Sequence, residues 1–147
     1  MRRRWVGAAL VLGAAALVAG CGGPDGRTVV RGKLVDNGKP FTIDPANAKA
    51  GAGGKGVPPG TRPIAMAFHP DGGGDPLGAN VDAESGTFEA KGPDGKGLKP
   101  GKYKISLTGS PGQPDPFAGK FTPDKSKIVR DVAPGVEIVI DVSKPEG

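Results

Sequence analysis

Apolar and polar residues alternate along several short stretches of this chain, and the clearest alternation begins directly after a turn. In Gly97-Leu98-Lys99-Pro100-Gly101-Lys102-Tyr103-Lys104-Ile105-Ser106-Leu107, Pro100 presets its own φ and Gly101 tolerates positive φ, so the pair turns the chain. Beyond it Tyr103, Ile105 and Leu107 fall on one side, and Lys102, Lys104 and Ser106 on the other. A period of two is that of a half-buried strand, which needs other strands to cover its apolar face.

The same pattern recurs on both sides. Thr28 to Val35 places Val30 and Leu34 on one face and Arg31 and Lys33 on the other, and ends at Asp36-Asn37-Gly38-Lys39-Pro40. Asn-Gly is a strong hairpin-turn signal, because both residues accept positive φ. Ile64 to Phe68 turns Ile64, Met66 and Phe68 inward and runs into a loop from His69 to Pro76. Asn80-Val81-Asp82 predicts a short strand, and Ser85-Gly86 a turn into Thr87-Phe88-Glu89-Ala90. Gly92-Pro93-Asp94-Gly95 is a further turn, and Ser110 to Pro116 a Pro-rich loop packed down by Phe117 and Phe121. Ile128 to Val132 is a strand, and Pro134-Gly135 turns it. Val136, Ile138, Ile140 and Val142 then alternate with Glu137, Val139 and Asp141. About seven strands with turn chemistry between them, and no helical period after the N-terminus, predict an all-β sandwich.

The N-terminus follows another rule. Met1-Arg2-Arg3-Arg4 is a basic n-region, and Trp5 to Val18 an apolar run rich in Ala, Leu and Val. That run falls short of the ~20 residues that span a bilayer and has the length of a secretory signal. Leu17-Val18-Ala19-Gly20-Cys21 then has the form of a bacterial lipobox. The Cys21 thiolate is the nucleophile that accepts a diacylglycerol thioether, and Ala19 and Gly20 open the preceding peptide bond to the signal peptidase. Cys21 is therefore the expected lipid-attachment residue and the bilayer the expected partner, since two or more acyl chains, at ~0.8 kcal/mol per buried CH₂, hold a protein stably on a membrane. Gly22 after Cys21, with no Asp there, resembles the lipoproteins that diderm bacteria sort to the outer membrane, which implies that location. The chain divides into a signal peptide over 1–20, a lipidated flexible tether over 21–27, and a β-sandwich domain over 28–143 with an inserted loop at 44–60.

Composition changes this picture in two places. Gly and Pro number 27 and 16 in 147 residues, an excess that the turns and the 44–60 segment absorb. The formal charge of +5 falls to +2 once Arg2, Arg3 and Arg4 leave with the signal peptide, since 17 basic residues then face 15 acidic ones. A nucleic-acid binder keeps a strong basic patch, so nucleic acid is not an expected partner. Cys21 is the single cysteine, which excludes an internal disulfide.

The candidate chemistry is sparse. Gly51, Gly53 and Gly56 match G-x-G-x-x-G, but Pro58-Pro59 forbids the helix that a phosphate-binding fingerprint must open. His69 is the single histidine and reads as an ordinary loop residue. Asp71, Asp75 and Asp94 lie in Gly-rich loops that could offer oxygens to calcium, without EF-hand spacing. There is no Gly-x-Ser-x-Gly, and a Ser-His-Asp set would have to be built from His69 and an arbitrary serine. Tyr103 and the five Phe could form a glycan platform, but the period of Phe68, Phe88 and Tyr103 places those three in the core. The sequence thus leads to no catalytic residue, no metal site and no cofactor. A non-catalytic envelope module, with an envelope protein or a glycan as partner, stands first. An enzyme with an unrecognised site and a carbohydrate-binding module are the alternatives.

The order of these signatures resembles the carboxypeptidase regulatory-like, or transthyretin-like, domain family. The matching pieces are Val30-Arg31-Gly32-Lys33-Leu34, Asn37-Gly38-Lys39-Pro40, Ile64 to Phe68, Asp82-Ala83-Glu84-Ser85-Gly86-Thr87-Phe88 and Leu98 to Ile105. The downstream part, from Phe117 through Ser126-Lys127-Ile128-Val129-Arg130 to Val142, is similar to the version common in small planctomycete lipoproteins. The resemblance implies a Greek-key, prealbumin-like sandwich and transfers no catalytic residue. The 44–60 insertion departs from the short loop usual in the family.

Overall fold

The computed structural model describes residues 25–43, 63–144 and 146. Among them the chain is all-β, with no helix. Eight strands follow one another: β1 (Val30–Asp36), β2 (Lys39–Pro40), β3 (Ile64–Pro70), β4 (Leu77–Val81), β5 (Thr87–Ala90), β6 (Gly101–Gly109), β7 (Val129–Val132) and β8 (Ile138–Asp141). They form one curled sheet in the order β2-β1-β5-β4-β3-β6-β7, with β8 on the other side of β1. Every pairing is antiparallel except β1 with β8, which is parallel.

β4 is shared by the two halves of the curl. Asn80 and Val81 pair with β5, while Ala79, Gly78 and Leu77 pair with β3. The halves β8-β1-β5-β4 and β4-β3-β6-β7 therefore face one another, an arrangement consistent with a β-sandwich. Phe68 of β3 meets Phe88 of β5 across the interior at 6.2 Å between ring centroids and Tyr103 of β6 edge-on at 6.0 Å. Leu34, Phe68, Ile105, Leu107, Ile128 and Ile140 are fully buried around them.

The alternations settle where the period puts them. β1 buries Val30, Gly32 and Leu34 and exposes Arg31 and Lys33; β3 buries Ile64, Met66 and Phe68. The β1–β2 turn holds Asn37 at φ 50° and Gly38 at φ 78°, the left-handed pair that an Asn-Gly hairpin requires. Tyr103 is buried, and its hydroxyl donates to the Lys99 carbonyl at 2.9 Å, which ties the Pro100-Gly101 turn to the strand it launches. Loop 110–121 folds back on the sheet through Phe117, which stacks on Phe41 at 5.2 Å and meets Phe121 at 5.5 Å.

Four expectations change. The Lys39–Pro40 pairing adds an eighth, two-residue strand. The strand expected at Asn80–Asp82 begins three residues earlier, at Leu77, because β3 pairs with Leu77–Ala79. β3 itself runs on through His69 and Pro70, so His69 is a strand residue facing Lys104. Val136 is 53% exposed instead of inward: its amide bonds the Ala133 carbonyl at 3.3 Å in the turn, and β8 starts only at Ile138.

Candidate functional site

The outward residues of β4, β5 and β1 lie in cross-strand rows. Asn80 is opposite Glu89, and Glu89 is opposite Arg31. With Asp82, Thr87 and Glu137 they line a shallow depression of about 470 Å³, with Phe88 buried beneath it. Two of its three carboxylates, Glu89 and Glu137, are ion-paired. Arg31 Nε lies 3.2 Å from Glu89 Oε1, Lys91 Nζ lies 2.8 Å from Glu89 Oε2, and Lys33 Nζ lies 3.0 Å from Glu137 Oε1. Lys91 first, and then Arg31, hold the Glu89 carboxyl below its ordinary range. The Glu84 amide, followed by the hydroxyl and amide of Ser85, does the same for Asp82. Both groups stay ionised at neutral pH, so they accept hydrogen bonds and hold no proton to give. The depression combines polar and charged groups with the apolar surface of Val81 and Phe88.

A second constellation lies on the opposite half. His69 Nε2 and Ser106 Oγ are 2.8 Å apart, brought together because Ala67 of β3 pairs with Ser106 of β6 and His69 with Lys104. Burial, and then the neighbouring Lys104 ammonium, push the His69 pKa down, which keeps the imidazole neutral at neutral pH. A neutral imidazole bonded to a serine is the first half of a nucleophile–base pair. Ser106, however, is only 5% exposed, so a substrate reaching Oγ would have to displace its cover. Ser106 falls on the outward side by sequence period, and only the tertiary pairing puts it under the histidine.

The carboxylates considered for calcium do not converge. Asp71 and Asp75 are exposed in the β3–β4 connection. Asp94 takes the Arg27 guanidinium at 2.6 Å and the Lys96 amide at 3.2 Å; that amide first, and then Arg27, hold its carboxyl below the usual range. Asp115 and Asp141 likewise accept backbone amides of their own turns. Among the described residues no group of three His, Cys, Asp or Glu side chains is placed to hold a metal ion. Phe68, Phe88 and Tyr103 are core residues.

Leu17, Val18, Ala19, Gly20, Cys21 and Gly22 lie outside the described residues, as do loop 44–60 and its Gly51, Gly53 and Gly56. Arg31, Asn80, Glu89 and Glu137 were not legible as one surface, since their outward facing follows from alternation but their adjacency depends on strand order. No family model, curated protein or solved structure matches this chain.

Proposed function

We propose that this chain is a bacterial lipoprotein whose Cys21 carries the acyl anchor and whose β-domain is a non-catalytic binding or structural module of the cell envelope. The observation that carries the reading is Leu17-Val18-Ala19-Gly20-Cys21 behind three arginines and an apolar run, followed at Thr28 by a domain built of strands. We read that domain as a Greek-key sandwich of the carboxypeptidase regulatory-like, transthyretin-like kind, facing the periplasm or the exterior, with an envelope protein or a glycan as partner. The depression around Arg31 and Glu89 supports a binding role, because Glu89 and Asp82 are held ionised rather than poised for proton transfer. Metabolic labelling with a fatty-acid probe tests the anchor: the wild type should be tagged and Cys21→Ser should not, and equal tagging of both would end the reading. Recovery of a partner from envelope extract on the anchored protein, lost in Arg31→Ala or Asn80→Ala, tests the module.

One observation favours an enzyme, the His69–Ser106 bond at 2.8 Å. A fluorophosphonate probe that labels the wild type but not Ser106→Ala would establish that alternative in place of the module.

A further inference from the structure

We infer that the domain sits directly on the bilayer in one orientation, with the end that carries Thr28, the Lys91–Pro100 connection and the Ala133–Glu137 turn against the membrane. The inference rests on the acyl anchor at Cys21, and the strand directions supply the rest. β1 starts at this end. β5 runs down to it, β6 starts from it, β3 ends at it, and β8, parallel to β1, starts from it as well. The connections 71–76, 91–100 and 133–137 are therefore all on the side where the N-terminal segment enters.

The segment that joins the anchor to the domain is shorter than the sequence suggests. Thr28 and Leu98 exchange both backbone hydrogen bonds at 2.8 Å, which fixes the entry point in the sheet. Arg27 then reaches Asp94 at 2.6 Å, and Asp25 takes Lys96 at 3.4 Å. Asp25–Arg27 thus lie along the 94–96 turn, and three residues, Gly22 to Pro24, remain between them and Cys21. Three residues reach at most about 10 Å when fully extended. A strand of seven residues is roughly 23 Å long, so the domain cannot turn over to put the opposite end alone against the headgroups while this tether holds. That opposite end carries the Asn37-Gly38 turn, the Asp82–Gly86 turn and the points where the chain leaves at Ile43 and returns at Pro63, which are fixed there by the Ala83 and Ser110 backbone.

The chemistry of the near end fits apposition by tether, not attraction by charge. Its connections hold Arg27 and three lysines against five carboxylates, so anionic lipid gains nothing. Val136, one of three large apolar side chains exposed among the described residues, stands on the 133–137 turn at this end.

The test uses the acylated full chain in vesicles containing a nitroxide-headgroup lipid, with a fluorophore on a single introduced cysteine, since acylation consumes the Cys21 thiol. Pro93→Cys and Val136→Cys mark the near end; Glu84→Cys and Lys39→Cys mark the far end. Both near-end labels should be quenched several-fold more than both far-end labels, equally in neutral and anionic vesicles. Eight Gly-Ser residues inserted between Gly23 and Pro24 should erase the contrast. Equal quenching at the two ends in protein that co-sediments with vesicles would overturn the orientation while leaving the anchor in place. Protein that fails to co-sediment would remove the anchor and the orientation together.

Discussion

Gly32→Ala should be among the most damaging single-methyl additions in this chain. Gly32 pairs with Phe88 on one side of β1 and with Ile138 on the other. A Cβ built on it would stand 2.0 Å from the Ile138 carbonyl oxygen and 2.4 Å from the Phe88 ring. The ring could swing aside at the expense of its contact with Phe68. The carbonyl cannot, because it belongs to the backbone of β8, whose ladder with β1 spans only Ile138 to Asp141. Overpacking a core commonly costs ~1–3 kcal/mol, and a clash with main chain belongs at or above the top of that range. For a domain of this size ~3 kcal/mol lowers the melting temperature by roughly 10 °C or more. Far-ultraviolet circular dichroism melts of the chain freed of residues 1–21 measure it. Phe88→Leu added to Gly32→Ala should recover only part of the loss, since the Ile138 contact persists. A Gly32→Ala protein melting within about 2 °C of wild type would refute the reasoning, and with it the close parallel approach of β8 to β1.

Three further outcomes follow from the same geometry. Asp115→Ala removes the acceptor of the Phe117 and Gly119 amides at 3.0 and 2.7 Å; urea titration should show a loss of ~1–3 kcal/mol, with loop 110–121 loosened first in hydrogen exchange. Tyr103→Phe keeps the ring and loses the bond to the Lys99 carbonyl, so the same titration should register ~1 kcal/mol. The His69 pKa is pushed below its unfolded value near 6.5, so the unfolded chain binds the proton more readily; stability should fall as pH drops through about 6.5, and His69→Gln should flatten that step in melts taken from pH 8 to 5. The lowered carboxyls of Asp82, Glu89, Asp94 and Asp141 act in the same direction at lower pH, where their ionised forms are lost.

The local code of this chain is strong. A period of two decides which side chains face inward, and it does so within one strand, without knowledge of its neighbours; Val30 and Leu34, Ile64 to Phe68, and Ile138 and Ile140 all obey it. Turn chemistry is equally local, because φ is a property of single residues, and Asn37-Gly38 adopts the values its composition demands. The proposed lipobox, Leu17 to Cys21, is a short string of the same local kind, one that enzymes rather than the fold would read. What the sequence could not supply is which strand lies beside which. β7 and β8 are joined by a short turn, yet they do not pair with each other: β7 pairs with β6 while β8 crosses to lie parallel to β1. Pairing depends on closing the curl around one shared interior, a sum over all the apolar faces at once. That closure sets Arg31 beside Glu89, slides Ser106 under His69, and brings Asp25 and Arg27 onto the 94–96 turn. Each contact spans tens of residues of sequence, so no local period encodes it: alternation turns strand side chains such as Arg31 and Glu89 outward, and tertiary structure decides which side chains meet.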